Sequence, residues 1–266
     1  MRRLGLLLAL LALGLGTAAQ ELTAEQLIAR VEAAQRTSGI RTRAKLTKTA
    51  RPAKTEEVMQ VVIKGRREGE ATEMLYQLLW PKEVAGRALV VGTSADGTVG
   101  GFLFEPPDKK IPLTPRLMAQ PVFGTDVTVE DLAEAYWRWP LQKLSGEERA
   151  LGRVCRVVES RPGPGTATSY SLVRSWIAPD IALPLVVEKF GKDGKLAKRF
   201  LAAKVVKQGP GSWGAAIMVV DTADGRSRTT LEGTKSDRDI EIPAEQFTLE
   251  GLKRNLPASQ ASPPLR

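Results

Sequence analysis

From residue 40 to residue 232 the chain is a succession of short strand-like runs separated by turn residues, interrupted once near its middle. The runs are 40–50, 58–63, 72–80, 87–91 and 99–104, then 153–161, 168–178, 185–190, 196–206, 215–221 and 226–232. Turn signals punctuate them at Arg51-Pro52, 65–69 and Asp96-Gly97. In the second half they recur at Gly163-Pro164-Gly165, Ala178-Pro179-Asp180, Asp193-Gly194, Gly209-Pro210-Gly211 and Asp224-Gly225. Runs so closely spaced, with no crossover helix between neighbours, commit the chain to an antiparallel meander. About eleven such strands cannot lie flat. A sheet of that width twists and curls until it closes or is covered.

Two helices are available as covers. Thr23-Ala24-Glu25-Gln26 has the form of a capping box, and Leu27, Ile28, Val31 and Ala34 follow at helical spacing until Ser38-Gly39. The interruption at 105–128 carries Pro106, Pro107, Pro112, Pro115 and Pro121 around Lys109-Lys110, which forbids a regular helix or a central strand. Thr128 then caps a second helix, with Glu130 and Asp131 in its first turn, running through Ala133, Ala135 and Tyr136 to Trp137 and stopped by Pro140. A further capped helix is expected between 243 and 255. The fold class that follows is mainly β with α: a half-open antiparallel β-barrel of about eleven strands, its concave side covered by helices. A hydrophobic cavity is natural there.

The N-terminus supplies an address. Met1-Arg2-Arg3, the apolar run 4–15 and the small residues Gly16-Thr17-Ala18-Ala19 have the order of a secretory signal peptide. The expected organisation is a signal peptide at 1–19, a single lipid-binding domain at 20–256 and a disordered tail at 257–266, with a periplasmic location. No later apolar run is long enough to span a bilayer. The formal charge of +9 becomes +7 when Arg2 and Arg3 leave with the leader. An exported protein seldom meets nucleic acid, so the counterparts of that charge are anionic headgroups and transient contact with membrane surfaces, or else the Lys and Arg, dispersed and not clustered, serve only to keep the surface soluble.

Chemistry is largely excluded. The chain has no histidine and one cysteine, Cys155, which removes histidine triads, histidine metal sites, thiolate clusters and any internal disulfide. Cys155 reads as a small buried apolar residue. Glu56-Glu57, Glu147-Glu148 and Glu130-Asp131 are adjacent in sequence and do not make an acid/base pair on a strand, where neighbours point to opposite faces. The spaced glycines of 209–214 precede a strand-like run, so they form a hairpin turn and not a phosphate loop. Neither Ser-x-x-Lys nor Gly-x-Ser-x-Gly occurs. We expect no catalytic residue, metal or cofactor.

One segment carries a resemblance. Phe123-Gly124-Thr125-Asp126-Val127-Thr128-Val129-Glu130-Asp131-Leu132 resembles the Gly-Ser-Asp-Phe-x-x-Glu-Asp-Leu segment of a LolA-like branch of the outer-membrane lipoprotein-sorting superfamily. Leu79-Trp80-Pro81 with Gly86-Arg87-Ala88-Leu89 fits the branch's Pro-x(n)-Gly-x-Ala-Leu stretch, and Gly101-Phe102-Leu103-Phe104-Glu105-Pro106 its Trp/Tyr-Leu-Tyr-x-Pro strand end. Trp176-Ile177 is similar to its Leu-Trp-Ile-Asp strand, with Ala178 in place of Asp. The resemblance implies a cavity that holds a lipid or lipoprotein acyl chain under a movable lid, and a carrier function in envelope trafficking. Some members resemble partners of membrane exporters, so a transporter or an outer-membrane receptor is an implied partner. A lipid-sensing or exporter-accessory module is the alternative reading, and a Ser-dependent hydrolase a more distant one.

The residues assigned to the cavity are Met74, Tyr76, Leu78 and Trp80 on one strand, Phe102 and Phe104 on another, and Met118, Phe123, Tyr136, Trp137 and Trp139 in and around the lid. Met and aromatic side chains make adaptable linings for an alkyl chain. Arg87, Asp126, Glu130 and Asp131 are assigned to positioning the lid, the carboxylates either pairing with Arg87 or accepting from free backbone amides.

Overall fold

The structure, a computed structural model, describes residues 22–256 apart from Pro210; the leader at 1–19 and the tail at 257–266 lie outside the described residues. Helix α1 (Ala24–Gln35) comes first. Its capping box is in place: the Gln26 amide donates to Thr23 Oγ1 at 3.2 Å, and Gln26 Oε1 accepts from the Thr23 amide at 3.0 Å. Two runs of strands follow. The first comprises β1 (Gly39–Ala50), β2 (Thr55–Glu68), β3 (Ala71–Trp80), β4 (Ala88–Thr93), β5 (Val99–Glu105) and β6 (Lys109–Pro112). The second comprises β7 (Leu141–Ala150), β8 (Arg153–Arg161), β9 (Tyr170–Ala178), β10 (Leu183–Gly191), β11 (Leu196–Gly209), β12 (Ser212–Thr222) and β13 (Ser227–Arg238). All thirteen form one antiparallel sheet in the order β6-β5-β4-β3-β2-β1-β13-β12-β11-β10-β9-β8-β7.

The chain therefore starts in the middle of the sheet, walks out to one edge, crosses through 113–140 to the other edge and walks back until β13 pairs with β1. The crossing segment proves the curl. Val129 packs with Leu89 and Val91 of β4, yet Asp131, two residues on, bonds to Lys189 of β10 and Lys198 of β11. In a flat sheet β4 and β10 would be seven strand spacings apart, about 34 Å. The two walls must face each other across the segment, and the edges β6 and β7 do not pair: a half-open barrel.

The register defines two faces. On the inner face Tyr76, Leu89 and Leu103 are cross-strand partners, and so are Val158, Ser175, Val187, Phe200, Val220 and Thr229. Helix α1 lays Leu27, Ile28 and Val31 on Val158 and Ile177 there, each burial worth about 1.5–3 kcal/mol. On the outer face of β3–β5 Leu75, Val90, Phe102 and Phe104 form a core with Phe247 and Leu252, the latter in the C-terminal helix α4 (Leu249–Arg254). Among the described residues no helix is long and apolar enough to cross a membrane.

Several expectations need correction. The two strands missing from the sequence reading, β6 and β7, are the two sheet edges. Pro112 is tolerated in β6 because an edge strand can do without one amide, and Glu147, Glu148 and Arg149 blunt β7 against further pairing. The turn placed at 65–69 is shorter: β2 runs through Gly65, whose Cβ would sit 2.5 Å from Met74 Sδ, so the glycine is there for close packing. The helix read from Thr128 to Trp137 is broken. Helix α3 (Val129–Ala133), which follows the single helical turn α2 (Pro115–Met118), ends at Glu134, left-handed at φ +47°, and Ala135–Arg138 form a 3-10 turn that redirects Tyr136 and Trp139 into the core. The C-terminal helix is likewise divided, a 3-10 turn at Ala244–Phe247 followed by α4, which Thr248 caps.

Candidate ligand-binding site

Strand alternation puts every hairpin turn at one of two ends of the barrel, and a cavity of about 510 Å³ opens at the end that holds the β1–β2, β3–β4 and β5–β6 turns. Its apolar walls are Met59, Leu78, Val84, Leu103, Val122 and Val129, and Phe123 leans over it from the crossing segment. Glu57, Arg87, Glu105 and Gln120 stand around its rim. A volume of this size falls within the usual range for small-molecule sites. Phe123 is held at φ +54°, a conformation that costs a bulky residue on the order of 1–2 kcal/mol. Packing offsets it: the ring meets one cluster around Leu46, Met59 and Leu78 and another around Leu89 and Val122.

What fixes the covering segment is a set of polar ties to the opposite wall. Asp131 has a side chain with no exposure at all. Its Oδ1 accepts from Lys189 Nζ at 2.9 Å and from the Tyr170 hydroxyl at 2.7 Å; its Oδ2 accepts from Lys198 Nζ at 2.7 Å and from the Thr128 amide at 2.8 Å. All four lone-pair sites of the carboxylate are filled. Burial alone would push this carboxyl up, but the two ammonium groups hold it well below the usual carboxylate range. Lys189, with a side chain 3% exposed, lies over the rings of Tyr136, Tyr170 and Phe200 at 4.8–5.4 Å. Burial, and then the Asp131 charge, push the Tyr170 hydroxyl far above its ordinary value.

Asp126 ties the same segment to the middle of the sheet. Its carboxylate accepts from the Ser227 and Thr229 hydroxyls of β13, and its amide donates to Thr229 Oγ1 at 2.9 Å. Lys48 of β1 donates to the Gly124 carbonyl at 2.7 Å, and Glu130 Oε1 accepts from the Ser169 amide at 2.7 Å. The carboxylates thus take the backbone-amide option at Thr128 and Ser169, and their cationic partners are Lys189 and Lys198 in place of Arg87, which stands at the cavity rim. Both interior lysines are spent as donors to Asp131, so neither is placed to act as a base for a serine.

The structure spreads the expected cavity residues over several places. Leu78, Phe104 and Phe123 border the cavity, although the Phe104 side chain packs in the outer cluster. Met74, Tyr76 and Met118 pack against Leu89 and Val122 beside it. Phe102 lies on the outer face with Phe247, and Tyr136, Trp137 and Trp139 fill the inside of the other wall. Trp80, last residue of β3, is 47% exposed next to the cavity mouth. Sequence reasoning missed Met59, Val84, Leu103 and Val122, which have no aromatic or motif signal, and the lysines, which are distant in sequence from Asp131.

Residues 70–254, most of the chain, match a protein family described as "-like: Uncharacterized protein". Among solved structures the fold is similar to that of a DUF1329 family protein from Desulfovibrio piger, with TM-score 0.80 and 18% identity over 86% of this chain and 97% of that one. It is equally similar to an outer membrane lipoprotein-sorting protein domain from Vibrio parahaemolyticus, TM-score 0.80, 18% identity, 87% of this chain and 98% of that one. A LolA superfamily protein from Nitrosomonas europaea superposes with TM-score 0.68 at 16% identity, over 86% of this chain and 98% of that one. The chain belongs to the family that matches residues 70–254, and its fold is LolA-like. No match was found among curated proteins. The LolA-like fold agrees with the motif at 123–132, whose Asp126, Thr128 and Asp131 supply the ties of the crossing segment.

Proposed function

We propose that this LolA-like chain is a non-enzymatic periplasmic binding protein that shields a lipid or lipoprotein acyl chain during envelope trafficking. The observation that carries the reading is the apolar cavity of about 510 Å³ between β2–β5 and the crossing segment. Burying an alkyl chain gains about 0.8 kcal/mol per methylene, so twelve methylenes offer on the order of 10 kcal/mol before ordering costs. A fatty acid, a glycerolipid or a lipoprotein acyl chain meets the wall in the same way, since each presents the same methylenes to Met59, Leu78 and Leu103.

Titration of the purified chain with a fluorescent long-chain fatty acid tests it. Saturable binding is expected, at least tenfold weaker in Val84→Trp, which fills the cavity from its rim. Binding that is absent, or indifferent to Val84→Trp, would count against the proposal. Native mass spectrometry of the protein taken from its own envelope then identifies the carried lipid.

A further inference from the structure

The two ends of the barrel differ in charge. At the end where the cavity opens, the hairpin turns 51–54, 81–87, 106–108, 162–169, 192–195 and 223–226 hold seven Lys and Arg against four Asp and Glu. At the opposite end, the turns 69–70, 94–98, 151–152 and 179–182 hold Glu70, Asp96 and Asp180, of which Glu70 pairs with Arg36 and Arg67 and Asp180 pairs with Arg153. Leu79 and Trp80 stand at the cationic end, 39% and 47% exposed, in the strand terminus that leads into Pro81 and Val84 of the cavity rim. Leu151 is exposed at the other end too, next to Arg153, which pairs with Asp180.

We propose that the cavity-mouth end is a docking face for an anionic bilayer surface, with Arg51, Lys54 and Arg87 meeting headgroup phosphates and Trp80 seated at the interface. Lys and Arg are drawn to anionic leaflets within a Debye length, and Trp prefers the boundary between headgroups and acyl chains. Docked this way, the cavity faces the membrane, and an acyl chain passes between bilayer and protein without crossing bulk water. The purpose of the face rests on the acyl-binding reading; its existence is tested separately.

The test is flotation of the purified chain with vesicles of pure phosphatidylcholine and with vesicles containing 30% phosphatidylglycerol, at low and high salt. Binding is expected only to the anionic vesicles, with release in 0.5 M NaCl. The double variant Arg51→Glu/Lys54→Glu, and separately Trp80→Ser, should each lower the partition coefficient at least tenfold, while Leu151→Ser at the opposite end leaves it unchanged. Equal binding to neutral vesicles, no binding to anionic ones, or full binding by the double variant would overturn the proposal. The fatty-acid titration, done without vesicles, judges the cavity independently, so loss of one result is not loss of the other.

Discussion

The wall built by β1–β6 is packed on both faces, outside where Leu75, Val90, Phe102 and Phe104 lie with Phe247 and Leu252 and inside around Leu78 and Leu89, and it borders the cavity on the inside. The wall built by β7–β13 is filled differently. Its inner face is filled by α1, Tyr136 and Trp139, and by the Asp131 ion cluster. Its outer face carries a row of cross-strand partners, Lys143, Glu159, Arg174, Glu188, Arg199, Asp221 and Arg228, whose charges alternate from strand to strand. Arg174 bonds to Glu159, Arg199 to Glu188 and Arg228 to Asp221. A sheet needs at least one buried face to hold its strands. The first wall takes that support on both faces and still borders a cavity inside. The second also takes it on both faces, and on its outer face the charged row gives way to Cys155, Val157 and Trp176, which pack with Leu183 and Ala202.

Removing Asp131 should break the contrast most severely. Asp131→Ala removes the carboxylate to which both Lys189 and Lys198 bond, and a loss of about 3–5 kcal/mol is expected in urea unfolding. A loss under about 1 kcal/mol would mean that the second wall does not depend on its filled interior. The pH dependence has a defined sign. The native Asp131 pKa is depressed, so its contribution is fully present above the ordinary carboxylate range, near 4, and is lost as pH falls through the native value. The stability gap between the parent chain and Asp131→Ala should therefore be flat from about pH 5 to 9 and close only in stronger acid.

Next come two neighbours on β5 that face opposite ways. Phe104→Ala, in the outer core, should cost about 3–5 kcal/mol. Leu103→Ala, on the cavity side and half-buried, should cost about 1 kcal/mol, because the site already borders a hollow, and should weaken fatty-acid binding. Equal costs would erase the distinction between the faces of this wall. Smaller still is Arg174→Ala in the charged row, which also stacks near Trp176 and Phe190. A loss of about 1 kcal/mol or less is expected, shrinking between 0.05 and 0.5 M NaCl. The smallest effect concerns Cys155, which is fully buried and whose thiol burial pushes up. A thiol reagent should modify it only as the chain unfolds, and fast modification of the folded chain would show this wall to be looser than its packing suggests.

The meander, the capped helix at Thr23 and the lid motif at 123–132 were legible because each is written in local chemistry: turn residues, a capping box, a helix start. The edges β6 and β7 were not, since an edge strand is free to carry proline and adjacent charges, which read as loop. The charged row and the Asp131 cluster were invisible for a different reason. Arg174 and Glu188 are unremarkable surface residues until the register sets them side by side, and Lys189 gains meaning only when the curl brings β10 against α3. Of the aromatic residues chosen as cavity lining, Phe104 and Phe123 border the cavity beside Met59, Leu78, Val84 and Leu103, while Phe102 lies on the outer face and Tyr136 in the other wall.

The two unpaired edges are consecutive in the chain, joined only by residues 113–140. That link is a leash as well as a cover: it is moored at its centre to β13 and β10 and at its ends to the rims on either side of the gap. The seam cannot spread without pulling slack from the stretch that roofs the cavity, so the width of the seam and the height of the roof are a single mechanical coordinate.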